Sequence, residues 1–153
     1  MRFTRTKALA VATGLALALA ACGDAGDDGD EGAQVEVEEN AAENFDDGTR
    51  MKELAEDGKI VIGVKFDQPG IGFKGAGDDA PKGFDPEIGK ILAASLGISA
   101  DDIEWKETIS DNREPFLQEG EVDLVIASYS ITDERRKVVG QAGPYYETGQ
   151  QLL

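Results

Sequence analysis

What this chain can fold into is constrained most by the stretch from Val122 to Arg135. Val122 through Ala127 is apolar apart from Asp123, and it runs straight into Ser128-Tyr129-Ser130-Ile131-Thr132-Asp133-Glu134-Arg135. A short, nearly continuous apolar run suits a parallel strand covered on both faces. Thr132 has the side chain of a helix N-cap, so a helix is expected from Thr132 to about Val139, with Arg135 one turn in. Strand followed by helix puts two hydroxyls, free backbone N–H groups and a guanidinium at the carboxyl end of the strand. Open α/β sheets hold small ligands there. The guanidinium fork matches a carboxylate through two parallel hydrogen bonds. The segment therefore reads as a carboxylate receptor, with Ser128, Ser130 and Arg135 as its candidate groups. Each also has an ordinary alternative: serine suits turns, and an arginine beside Arg136 and Lys137 suits a solvated helix face. Thr132 is assigned to capping alone.

Upstream residues supply the rest of an alternating pattern. Thr49 can cap a short helix through Glu56, ended by Gly58. Lys59-Ile60-Val61-Ile62-Gly63-Val64 is a strand ending at Lys65-Phe66, and a loop with Pro69, Gly70, Gly72, Gly75 and Gly77 follows. Asp85-Pro86-Glu87 reads as a helix start, with Asp85 as N-cap and Pro86 at the first helical position. Ile88, Ile91, Leu92 and Leu96 keep helical spacing up to Gly97. Ile103-Glu104-Trp105-Lys106 alternates as a strand does, and Asp111 or Asn112 opens a helix through Gln118, closed by Gly120. Strands alternating with helices predict an α/β fold, an open and mostly parallel sheet flanked by helices. Residues 49–153 bury a modest core. The last residues, Leu152 and Leu153, read as part of a strand, so this lobe is expected to be incomplete at residue 153.

The N-terminal end is of another kind. Arg2, Arg5 and Lys7 precede an apolar run from Ala8 to Ala21. That run would span roughly 21 Å as a helix, against a hydrocarbon core of about 30 Å, which suits a secretory signal peptide over residues 1–21. Leu19-Ala20-Ala21-Cys22-Gly23 resembles a lipoprotein lipobox, in which the cysteine becomes lipidated. Residues 22–48 carry 11 acidic residues and no Lys or Arg, the composition of a disordered acidic tether that holds the protein outside the cell membrane. From Gly48 onward 20 acids and 12 bases leave a net charge of −8, half of the −16 of the whole chain. No basic face suggests nucleic acid. The chain has no histidine and only one cysteine, Cys22. With Cys22 assigned to lipid, imidazole and thiol chemistry are unavailable, and no cofactor or metal is expected.

Four motifs together resemble the polar amino-acid-binding receptors of ABC transporters, the bacterial extracellular solute-binding protein family 3. They are Gly83-Phe84-Asp85-Pro86-Glu87-Ile88, then Ser128 to Arg135, then Gly143-Pro144-Tyr145-Tyr146, and Lys65-Phe66-Asp67-Gln68-Pro69-Gly70. The last is similar to the glutamate-binding branch in particular. The resemblance implies a two-lobed clamshell of the type II periplasmic-binding-protein kind, with residues 49–153 forming lobe one up to the crossover and lobe two missing. It implies a monomeric receptor, not an enzyme, that binds glutamate or a related acidic amino acid and delivers it to permease subunits. Arg135 would grip the α-carboxylate, helped by Ser128 and Ser130.

In the acidic-ligand branch, cationic and hydroxyl groups at the positions of Lys65, Ser110 and Arg113 take the side-chain carboxylate. Charge matching argues the same way. Glutamate brings two carboxylates, and one left unpaired in a closed cleft costs several kcal/mol. Arg113 has the alternative of pairing locally with Glu114 or Asp111. Phe66 is read equally as pocket floor or as core. Trp105, Tyr145 and Tyr146 are read as core or crossover packing. Alternatives of another class are a ligand-sensing domain and a clamshell enzyme such as a dehydratase. Residues 49–153 alone are expected to bind ligand weakly or not at all.

Overall fold

The computed structural model describes residues 35–149 and 151. The expected signal peptide, Cys22 and residues 23–34 of the acidic segment lie outside them, as do Leu152 and Leu153. Ile60–Val64 forms β1, the middle strand of a three-stranded sheet. Its near-continuous apolar sequence suits a strand flanked on both edges. Ile60, Ile62 and Val64 are all at most 3% exposed. Ile103–Glu107 forms β4, parallel to β1 with Ile60 opposite Ile103 and Val64 opposite Glu107. Leu124–Ile126 forms β5, parallel on the other side with Val64 opposite Ile126. The order is β4-β1-β5. The expected α/β class and parallel pairing are what the structure has. β5 is shorter than expected and its Leu124 and Val125 are only half-buried, because the strand lies at the edge of the sheet.

Helix α1 (Arg50–Asp57) starts where Thr49 accepts a hydrogen bond from the Lys52 N–H at 3.3 Å, and it ends at Gly58. Helix α2 (Phe84–Ser95) differs from expectation at its start. Asp85 is not the N-cap; Gly83 is, with φ 122°. The Phe84 and Asp85 N–H groups donate to the Gly70 and Ile71 carbonyls at 3.1 and 2.8 Å. The neighbouring loop thus satisfies the free helix end, and no side-chain cap is needed. A Cβ at Gly83 would lie 2.7 Å from the Ile71 oxygen, so only glycine fits this approach. At the other end Gly97 N–H donates to Ala94 and Ile98 N–H to Ala93, a Schellman stop. Helix α3 (Arg113–Gln118) ends in the same way at Gly120.

Three further differences emerge. The glycine-rich loop after β1 contains a small antiparallel pair, β2 (Asp67–Gln68) with β3 (Gly72–Phe73). The helix expected from Thr132 to Val139 is only a 3₁₀ turn, Arg135–Lys137. Val138 there is exposed and so lends the segment no apolar contact to support a longer helix. Finally, the acidic segment is not tether throughout. The Glu38 N–H donates to Ala94 at 2.9 Å, Ala41–Asn44 forms a 3₁₀ turn, and Ala41 is 3% exposed. The packed part therefore begins upstream of Thr49: small Ala41 fits against Gly97 at the end of α2, which composition alone does not reveal.

The core gathers Leu54, Ile60, Ile62, Val64, Ala93, Ile98, Ile103 and Ile126, with Phe66, Leu96 and Trp105 packed on it. The segment from Gly143 to Tyr146 is tied back to the sheet and α2 through Tyr145. Its hydroxyl lies 2.9 Å from both Asp85 Oδ1 and the Ala127 carbonyl, and its ring centre is 6.0 Å from that of Phe84. The Gly143–Pro144 bond is cis. No helix among the described residues is long and apolar enough to cross a membrane.

Candidate ligand-binding site

Parallel pairing brings the carboxyl ends of all three strands to one edge of the sheet. The Thr108 N–H continues the ladder by donating to the Val64 carbonyl at 2.9 Å, so the residues after β1, β4 and β5 emerge side by side. Lys65, directly after β1, is 9% exposed, and its ammonium lies 3.1 Å from Asp67 Oδ1. The Ser128 hydroxyl donates to Gln68 Oε1 at 2.9 Å, which ties β2 to the loop after β5.

Two guanidiniums meet at that loop. Arg113, the first residue of α3, is 6% exposed; its Nη1 donates to the Ser128 carbonyl at 3.3 Å and its Nε has no partner. Arg135 donates from Nη1 to the Ser130 carbonyl at 2.8 Å. Its own N–H donates to Thr132 Oγ1 at 3.3 Å, but the residue capping the 3₁₀ turn is Glu134, not Thr132 as expected. Both guanidiniums lie over the Tyr129 ring, at 4.7 Å for Arg113 and 4.1 Å for Arg135. The Tyr129 hydroxyl donates to Glu114 Oε1, which also stands 3.7 Å from Arg135 Nε. Burial, and then the neighbouring Arg135 charge, push the Arg113 pKa down. Burial, followed by the bond to Glu114, pushes the Tyr129 hydroxyl up.

Of the residues expected to bind, Arg113, Ser128, Ser130 and Arg135 come together, and Lys65 emerges at the same sheet edge. The serines hold the guanidiniums through their carbonyls, with the Ser128 hydroxyl turned to Gln68. Ser110 stands exposed in the loop before α3 and makes none of these contacts. Phe66 is half-buried and packed on the core, with the Lys74 ammonium 5.5 Å from its ring centre. Glu114, which with Asp111 attracts Arg113 electrostatically, places its Oε1 on the Tyr129 hydroxyl and near Arg135.

Tyr129, Glu114, Asp67 and Gln68 were not identified as site residues from the sequence. The sequence signal for Tyr129 was its place between the two serines. For Glu114 it was adjacency to Arg113. No group of three or more His, Cys, Asp or Glu able to hold a metal occurs among the described residues.

Residues 60–153 match the family described as bacterial extracellular solute-binding proteins, family 3. A glutamate-binding protein, GluB, of Corynebacterium efficiens is 35% identical over 99% of this chain and 46% of its own length. A glutamine-binding protein of an ABC transporter, GlnH, of Bacillus subtilis is 34% identical over 88% of this chain and 45% of its own. The chain thus spans about half the length of these curated relatives. Among solved structures, a solute receptor for L-cysteine from Neisseria gonorrhoeae superposes with a TM-score of 0.58 at 39% identity, over 62% of this chain and 38% of that one. The arginine-bound form of domain 1 from TmArgBP superposes with a TM-score of 0.55 at 29% identity, over 61% of this chain and 71% of that one.

Proposed function

The chain belongs to the bacterial extracellular solute-binding proteins, family 3, and we propose that it forms the carboxylate-gripping lobe of a receptor for glutamate or aspartate. In this reading the facing lobe lies in sequence beyond residue 153, and Cys22 carries lipid that anchors the protein to the outer face of the cell membrane. The bound amino acid passes to ABC permease subunits, and the protein performs no chemistry on it.

The observation that carries this reading is the pair of guanidiniums at one strand edge. A neutral amino acid needs one cation for its α-carboxylate. Here Arg113 and Arg135 share one ring, and Lys65 emerges directly after β1 at the same end of the sheet. Arg135 takes the α-carboxylate and Arg113 the side-chain carboxylate. Asp67, whose side chain is 63% exposed, can leave Lys65 for water at little cost when a ligand carboxylate arrives. The names of the glutamate-binding relatives support the same ligand class; the glutamine-binding ones keep the α-carboxylate part in common.

Calorimetric titration of the protein expressed from its complete reading frame, against all common amino acids, tests this. Glutamate or aspartate is expected to bind tightest, and preference for lysine or for a neutral amino acid would sink the assignment. Arg113→Met should weaken glutamate on the order of tenfold to a hundredfold, the scale of a lost charge-assisted hydrogen bond, and leave glutamine nearly unchanged.

A further inference from the structure

We propose that Tyr129, with Glu114, is a positioning pair that lets two guanidiniums share one amino-acid site, and that it thereby sets the preference for a dicarboxylate. The inference rests on the acidic-ligand reading above and adds to it residues that do not themselves grip the ligand.

Two like charges close together repel, and water near Arg135, whose side chain is 34% exposed, would draw it away. Three contacts oppose this. The negative face of the Tyr129 ring attracts both guanidiniums. The Ser128 and Ser130 carbonyls each accept one N–H. Glu114 supplies a negative charge beside the ring, and Asp111 adds a weaker attraction on Arg113.

The placement of Glu114 matters as much as its charge. Its Oε1 accepts from the Tyr129 hydroxyl and stays 3.7 Å from Arg135 Nε. At that distance it balances charge without saturating the fork, and Arg135 keeps N–H donors for a ligand carboxylate. A Glu114 released from Tyr129 would be free to close on Arg135 as an internal competitor. The hydroxyl therefore keeps the fork open, while the ring keeps Arg113 and Arg135 within reach of the same ligand. Arg113 is ready for such a partner: it is nearly buried, and its Nε has none.

The two parts of Tyr129 separate experimentally in the protein expressed from its complete reading frame. Tyr129→Phe keeps the ring and frees Glu114. Glutamate and glutamine affinities should both fall about tenfold, because both ligands offer an α-carboxylate to Arg135. Adding Glu114→Gln to Tyr129→Phe should restore most of that loss, because the neutral amide no longer competes for Arg135 and the bound carboxylate itself balances the two arginines. Tyr129→Leu removes the ring, and its glutamate affinity should fall about tenfold further than its glutamine affinity, which lowers the selectivity ratio. A residue that merely supports the fold would lower the melting temperature without changing that ratio or being rescued by Glu114→Gln. An unchanged ratio in Tyr129→Leu, or no rescue in the double variant, overturns the proposal. If the unmodified protein prefers a neutral amino acid, the acidic-ligand reading and the dicarboxylate half of this proposal both fail. The Tyr129→Phe loss and its rescue are then read on the preferred ligand and decide the positioning half alone.

Discussion

Asp85 is 1% exposed, and among the described residues no cation pairs with it. The Tyr145 hydroxyl has one proton for two acceptors, Asp85 Oδ1 and the Ala127 carbonyl, and Asp85 Oδ2 has no partner. Burial raises the Asp85 pKa above its ordinary 3.8, and the bond from Tyr145 only partly offsets this. A carboxyl whose folded pKa is raised stabilises the fold fully below the unfolded value and loses that contribution as pH rises through the folded one. Wild-type stability should therefore fall, relative to that of Asp85→Asn, as pH rises from below 3.8. Urea unfolding across that range measures the difference, and parallel pH profiles would contradict it. Sequence reading assigned Asp85 to an N-cap because Asp before Pro is a strong helix-start signal. What it missed is that the Gly70–Ile71 backbone already serves that helix end, which leaves the carboxyl to Tyr145.

At the scale of elements, Asp123 sets where β5 begins. Its Oδ2 accepts from the Val61 N–H at 2.9 Å, its own N–H donates to the Val61 carbonyl at 2.9 Å, and Oδ1 pairs with Arg50 of α1 at 2.6 Å. The one polar residue in the apolar run thus closes the ladder beside β1 and reaches the start of α1. Asp123→Ala should destabilise by about 1–3 kcal/mol, because it strands a half-buried N–H. Arg50→Ala should cost less than about 1 kcal/mol, since the Arg50 side chain is 58% exposed. Equal losses in urea unfolding of the two variants would show the ion pair, not the backbone bond, to be what matters. The elements themselves were largely legible. Thr49, Gly58, Gly97 and Gly120 mark helix ends by local chemistry alone. The segment after Thr132 was not: Val138 stays exposed and only a 3₁₀ turn forms.

On the scale of the whole molecule, the proposed function has a facing lobe that shuts water away from a ligand held at the strand ends. Charge pairs strengthen when water is excluded. Residues 1–153 alone should consequently bind glutamate weaker than the protein expressed from its complete reading frame, by a factor on the order of a hundred, about 2.7 kcal/mol. Calorimetry on both forms reads it, and equal affinities would show that this lobe suffices.

The chain's order of residues by itself determined the three strands of the parallel sheet, most helix ends and the cations near the strand ends, because these follow from hydrophobic period, cap chemistry and charge. Only the tertiary structure decided which groups face one another. It set the Glu114 carboxylate on the Tyr129 hydroxyl, laid both guanidiniums on one ring and packed Ala41 against the end of α2. Such contacts join residues brought together by strand pairing and helix packing, and no local spacing encodes the distance between them.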